Sequence, residues 1–203
     1  MLVMVGSTRS LRLVARLREL GWGRVFCGKP TPYPGEPWAL DNGAFAAWKG
    51  GRPFDANSFA VRAFACASLS PVFGVLPDIV GGGSKSLALS LAWLPRLPPI
   101  AWYLAVQDGM TTAMVEPLLD HVAGLFLGGT TEFKGTAPIW ARMAHAAGKR
   151  FHYARVSTEI HIRRAIDCEA DSIDSTQPLW SKRHWNKFER DVFVNLAQEV
   201  LFR

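Results

Sequence analysis

Residues Ile100 to Gly109 read IAWYLAVQDG, an apolar run that stops abruptly on Gln107-Asp108-Gly109. A run with no polar alternation suits a strand buried on both faces, as in a parallel sheet covered by helices. The same form recurs along the chain: LVMVGST from Leu2, RVFCG from Arg24, WALDNG from Trp38, PVFGVLPD from Pro71, GLFLGG from Gly124, RFHYARVS from Arg150 and DSIDST from Asp171. Helical patterns lie between most of these runs. Leu13, Val14, Leu17 and Leu20 share one face, as do Phe59, Ala60, Ala63 and Phe64. Thr111 or Thr112 can open a stretch to His121, and Thr136 with Pro138 can open one through Ala147. Residues Glu159 to Asp167 and Lys187 to Leu201 complete the set, whereas the connection from Gly28 to Pro37 has no helical pattern. Strands alternating with helices predict an α/β fold, a compact (β/α)8 TIM-type barrel forming a single domain over residues 1–203. The competing arrangement is a doubly wound open sheet, but VGSTRS after the first strand is not the GxGxxG that such a sheet uses to hold a dinucleotide.

The composition of this 203-residue chain is that of a globular protein, with 49% hydrophobic and 20% charged residues. The longest apolar stretch, Leu87 to Val106, is interrupted by Arg96 and by Pro95, Pro98 and Pro99, which excludes a bilayer span. No basic leader or small-residue cleavage site marks the N-terminus, so a soluble cytoplasmic protein without membrane partners is expected. Cys27, Cys66 and Cys168 fit no metal-ligand spacing and are expected to be buried, reduced thiols. A net charge of +6 favours a polyanionic partner.

In a (β/α) barrel the catalytic groups sit at the carboxyl ends of the strands. Here those ends are Asp41-Asn42-Gly43, Asp78, Gln107-Asp108-Gly109, Gly128-Gly129, Ser157 and Asp174. Carboxylates accept from ring N–H groups and exocyclic amines, and Gln and glycine N–H groups meet a carbonyl, so the set suits a nitrogenous base. Two carboxylates can also divide the work of nucleophile and general acid/base. Each piece has a plainer role as well: Asp41 and Asp78 as loop caps, Gly128-Gly129 as a turn, Asp171 and Asp174 as strand-end residues. Phe45, Trp48, Phe73 and Trp102 suit either a pocket wall or the core.

The ordered set resembles the tRNA-guanine transglycosylase superfamily. LDNGAF (from Leu40) is similar to that family's DSGGF segment, AVQDG (from Ala105) to its VQGG-type segment, LGGTTEFK (from Leu127) to its base-binding loop, and ADSIDST (from Ala170) to its GxDxFDCV-type strand. The resemblance implies Asp174 as the nucleophile at C1′ and Asp41 as general acid/base. It also implies Asp78 as a base-reading carboxylate, Gln107 and Gly128-Gly129 as the site of the base carbonyl, and Asp171 in a supporting role. Asn42 stands where the family has serine, and nothing resembles the Cys-rich zinc segment of the tRNA enzymes. The sequence is therefore more similar to the reduced relatives, found in phages and bacterial modification clusters, that insert 7-deazaguanines such as preQ0 into DNA. The implied activity is metal-free and cofactor-free base exchange on DNA with a free 7-deazaguanine, in a barrel lacking a zinc subdomain, acting as a homo-oligomer or with a partner subunit. A tRNA substrate, an N-glycoside hydrolase and an inactive nucleic-acid-binding barrel are the alternatives.

On a barrel, the basic stretch Ser181 to Lys187 follows the last strand onto the catalytic face. Lys182, Arg183 and Lys187 suit flanking phosphates there, with Arg9 at the end of the first strand. Trp180 or Trp185 suits stacking on an unpaired base; the plainer alternative is a solvated helix start with a core Trp.

Overall fold

The computed structural model describes residues 1–202, with Arg203, the end of the expected domain, outside the described residues. Eight parallel strands form a closed barrel in chain order: β1 (Leu2–Gly6), β2 (Gly23–Phe26), β3 (Trp38–Leu40), β4 (Phe73–Val75), β5 (Trp102–Val106), β6 (Gly124–Leu127), β7 (Arg150–Tyr153) and β8 (Ser172–Ser175). Closure is made by β8 on β1, where Leu2 pairs with Ser172 and Met4 with Asp174. The α/β barrel expected from the apolar runs is thus the observed fold. The strands are shorter than their runs: the one beginning at Arg150 ends at Tyr153, leaving Ala154 to Ser157 in the loop that follows.

Alternation along each strand divides the apolar residues between two cores. Met4, Val25, Ala39, Phe73, Val75, Tyr103 and Ala105 fill the barrel interior, where Phe73 and Tyr103 stack at 4.3 Å. The neighbouring positions, among them Val3, Val5, Leu40, Leu104 and Leu125, pack outward against the helices. Each such fully buried side chain contributes on the order of 1.5–3 kcal/mol.

The outer layer is α1 (Leu11–Leu20), α2 (Ala44–Lys49), α3 (Ala56–Cys66), α4 (Ser84–Trp93), α5 (Thr112–Val115), α6 (Ala137–Ala146), α7 (Glu159–Asp167) and α8 (Lys182–Phe202). Ser10, Asp55 and Thr158 cap α1, α3 and α7 through side-chain oxygens. The expected stretch to His121 is helical but changes to a 3-10 helix at Glu116, ahead of Pro117. Two helices have no sequence signal of their own: α2 is a turn and a half long, and SKSLALSLAW in α4 shows no clear apolar stripe. The last helix starts five residues before the expected Lys187. Trp185 belongs to it and is a core residue, 5% exposed, against Trp22 at 6.1 Å, with its indole N–H on Glu189. Its expected role in stacking on a base is therefore corrected: one turn into the helix, it falls on the inward face beside Phe188 and Val192.

No helix joins β2 to β3. A buried ion pair does the work of one: Arg24 Nε and Nη2 donate to the two Glu36 carboxylate oxygens at 2.6 and 2.7 Å. Arg24 also donates to the carbonyls of Thr8 and Thr31, and Glu36 accepts the Tyr33 N–H. The strand approach is so close that a Cβ on Gly23 would lie 1.9 Å from the Pro37 carbonyl oxygen. No helix among the described residues is long and apolar enough to cross a membrane.

Candidate active site

At the carboxyl end of the barrel, Asp174 comes from within β8 and Asp41 from directly after β3. Asp174 is 7% exposed. Its Oδ1 accepts from His152 Nε2 at 3.0 Å and from the Arg155 backbone N–H at 2.9 Å. Burial opposes ionisation of Asp174, but the His152 hydrogen bond (with any positive charge on that ring), the Arg155 hydrogen bond and the nearby Lys134 charge outweigh it and hold the carboxyl below its usual range. Asp41 goes the other way. Burial pushes its carboxyl up and the Asp174 charge adds to this, against a hydrogen bond from the Cys27 thiol. The mouth therefore holds one carboxyl shifted below its usual range and one shifted above it.

Cys27 corrects an expectation. Cys66 and Cys168 are buried, but Cys27 is exposed at the mouth, with its sulfur 2.8 Å from Asp41 Oδ2. It follows the last residue of β2, where the chain has left the packed layer. Loss of hydration around the sulfur, reinforced by the Asp41 and Asp174 charges, holds the thiol well above its usual range, so it acts as a donor to Asp41 and not as a thiolate.

Asp78, after β4, has both oxygens occupied by amides: Asn42 Nδ2 at 2.7 Å and Gln107 Nε2 at 3.1 Å. Burial raises its carboxyl to about 6 against these two hydrogen bonds. Asn42 and Gln107 are at the mouth as expected, but neither has a free amide hydrogen for a base. Asn42 also donates to the Leu76 carbonyl and accepts the Ala44 N–H. Gln107 also donates to the Ile79 carbonyl and accepts the Gly81 N–H. With every amide hydrogen committed, the two residues hold Asp78 and its loop in place, and either could donate to a base only by giving up one of these bonds.

Gly128-Gly129 follows β6 as expected. Gly129 has φ +77°, and a Cβ there would lie 2.6 Å from Asp108 Oδ2. Asp108 fixes this loop by accepting from the N–H and hydroxyl of Thr130. The Gly129 carbonyl accepts from Arg155 Nη2 at 2.8 Å.

Asp171 is corrected outright. It precedes β8 and lies at the amino end of the barrel, bound to Arg150, His145 and the Phe151 N–H. Three residue steps along the strand separate it from Asp174, roughly 10 Å. Of the basic residues, Arg9, Lys182 and Arg183 are exposed and form no ion pair among the described residues. Lys187 is paired with Asp191 one turn along α8, which compromises the phosphate role expected for it. Trp180 is 65% exposed beside His184. Phe73 and Trp102 are core, Phe45 is half-buried at the mouth, and Trp48 is exposed next to it.

Sequence reasoning missed three residues here. Arg155 adopts a left-handed backbone, φ +52°, unusual for a residue with a long side chain. Its guanidinium lies 4.0 Å over the Phe45 ring, bridging the loops after β3, β6 and β7. Lys134, 3% exposed, donates to the carbonyls of Ala154 and Arg155, and burial lowers its amine to about 8. Lys134 lies in a 3-10 turn (Phe133–Thr136) and Arg155 in the loop after β7, and the contacts of both form only when the two segments meet in the fold. His152 is inside the barrel; its signal is a lone imidazole in an apolar strand.

Among the described residues no group of three His, Cys, Asp or Glu side chains is arranged to hold a metal ion. No protein-family model and no curated protein matches the chain. What fold and site define is a class: a (β/α)8 barrel, an architecture common among enzymes, with two mouth carboxyls shifted in opposite directions.

Proposed function

We propose that this protein is a guanine transglycosylase acting on DNA, exchanging guanine for a 7-deazaguanine base of the preQ0 kind. The observation that carries it is the pair of carboxyls at the mouth: Asp174, bonded by His152 and the Arg155 N–H and shifted toward the anion, and Asp41, bonded by the Cys27 thiol and shifted toward the acid. Double displacement at an N-glycosidic carbon needs that division. The Asp174 carboxylate attacks C1′ of a nucleotide displaced from its stack, and the C1′–N9 bond breaks. Its electron pair leaves with guanine, which takes a proton from Asp41. The incoming base then gives its N9 proton to Asp41, its nitrogen bonds C1′, and Asp174 is released.

Asp78 accepts one hydrogen bond on each oxygen, from Asn42 and Gln107, and the remaining lone pair of each oxygen suits a ring N–H or amino group of the base. Lys182 and Arg183 occupy the first turn of α8, where the helix dipole disfavours cations; contact with phosphate would reverse that penalty. The choice of DNA and of a deazapurine rests on the sequence resemblance. Incubating the protein with guanine-containing DNA and preQ0, followed by nucleoside mass spectrometry, tests it directly, with tRNA as a parallel substrate. Incorporation into DNA supports the proposal, incorporation only into tRNA corrects the polymer, and release of guanine without exchange points to a hydrolase. Wild-type exchange by Asp174→Asn would remove the assigned nucleophile.

A further inference from the structure

The His152 imidazole is wholly buried inside the barrel, one layer below the mouth. Nε2 lies 3.0 Å from Asp174 Oδ1, and Nδ1 lies 2.8 Å from Ser172 Oγ. Phe126 stacks on the ring at 4.8 Å with planes 9° apart, and Phe73 closes on it at 5.0 Å. Ser172 is 4% exposed, and its hydroxyl has no other partner among the described residues.

Hydrogen-bond accounting assigns the protons. A buried hydroxyl needs an acceptor, and Nδ1 is the one within reach, so Ser172 donates to Nδ1. The ring proton of the neutral imidazole is then on Nε2, which donates to Asp174. With the Arg155 N–H, this gives Asp174 Oδ1 two donors. Oδ2 accepts no hydrogen bond from the described residues. We infer that His152, backed by Ser172, is a positioning residue that holds the Asp174 carboxylate by Oδ1 and leaves Oδ2 as the oxygen that bonds to C1′. The attacking step rests on the transglycosylase reading; the Ser172–His152–Asp174 chain does not.

During attack the Oδ2 lone pair forms the bond to C1′, the C1′–N9 pair departs with the base, and Oδ1 becomes the ester carbonyl. When the second base displaces the ester, charge returns to a carboxylate already met by two fixed donors. The imidazole keeps its proton throughout.

Two measurements on the full chain test this. Long-range proton–nitrogen NMR of the histidine-labelled protein, with His152 identified by loss of its signal in His152→Gln, should show the neutral Nε2–H tautomer. Finding the proton on Nδ1 overturns the inference, whether or not the protein acts on DNA. In single-turnover reactions with guanine-containing DNA, His152→Phe keeps a ring between Phe126 and Phe73 but cannot donate. It should form the covalent adduct about tenfold to a hundredfold more slowly, with KM for the free base within about twofold. His152→Gln, which can donate, should recover most of that loss, and Ser172→Ala provides a milder variant should the ring replacement fail to fold. Wild-type adduct rates in both His152→Phe and Ser172→Ala overturn the positioning role. If wild-type protein forms no adduct, the transglycosylase reading falls, and the tautomer alone decides whether His152 holds Asp174.

Discussion

The opposed displacements of Asp174 and Asp41 define a pH profile. Asp174, depressed, must be ionised to attack, so activity fails as pH falls through its low value. Asp41, raised, must carry a proton to the leaving base, so activity fails as pH rises through its elevated value. Exchange rate against pH should therefore be bell-shaped, with the limbs on either side of the ordinary carboxylate range. Asp41→Asn should leave residual activity without the alkaline limb; an unchanged alkaline limb would remove Asp41 as the acid. Asp78 gives a matching stability effect. Its carboxyl rises from 3.8 to about 6, so its stabilising contribution is full below the unfolded value and is lost as pH rises through about 6. Relative to wild type, Asp78→Asn should gain up to about 3 kcal/mol between pH 4 and pH 7, read by urea unfolding at both values. A pH-independent difference would show that Asp78 titrates normally. Asp41 was legible because it ends an apolar run, and Asp174 through the resemblance of ADSIDST to the family's last strand, since its own segment, DSIDST, has one apolar residue. Asn42 and Gln107 were legible as positions but not as contacts, because their partners come from the loop after β4, distant in sequence.

At the scale of elements, the helix-less connection depends on one buried pair. The Arg24 and Glu36 side chains are 4% and 0% exposed, so removing either leaves a charge out of water without a partner. Glu36→Ala should cost about 3–5 kcal/mol, measured by denaturant unfolding, and a loss under about 1 kcal/mol would mean that other interactions hold the connection. The loop after β6 depends on Gly129. Its φ of +77° and the 2.6 Å approach to Asp108 leave no room for a methyl group. Gly129→Ala should displace the carbonyl that Arg155 holds, and through Arg155 the N–H on Asp174. The expected result is a fall in adduct formation larger than any change in DNA binding. The missing helix between β2 and β3 could be read from the Pro/Gly-rich segment, but the ion pair replacing it could not. Arg24 sits in an apolar run and Glu36 in a loop, and only folding brings them together. The failure to read α4 has a related cause: its buried face carries Ser86 and Ser90, whose hydroxyls bond the backbone of Ile79 and Pro77, so polar residues fall where a helical pattern expects apolar ones.

For the whole molecule, the net charge of +6 matters through its placement. Lys182, Arg183 and Arg9 are exposed without ion pairs among the described residues, whereas Arg16, Arg150 and Arg190 are tied to carboxylates. Lys182, Arg183 and Arg9 follow β1 and β8, the neighbouring strands that close the barrel, with exposed Trp180 between β8 and α8, whereas Lys29, Lys49, Arg52 and Lys85, also exposed without ion pairs among the described residues, follow other strands. Net charge was visible in the sequence, but this grouping was not, because β1 and β8 lie at opposite ends of the chain and meet only when the sheet closes. If this arc holds the strand, binding should weaken steeply with salt, because each phosphate neutralised releases counterions. Lys182→Ala with Arg183→Ala should then weaken single-stranded DNA binding and reduce the slope of log K against log salt by about 1.4, at about 0.7 for each phosphate that loses its cation. Trp180→Ala should weaken binding by about 1–3 kcal/mol without changing that slope, because stacking releases no counterions. Fluorescence anisotropy over a salt series separates the two. Equal slopes for wild type and the double variant would detach the arc from the polymer and leave a site for a free nucleoside.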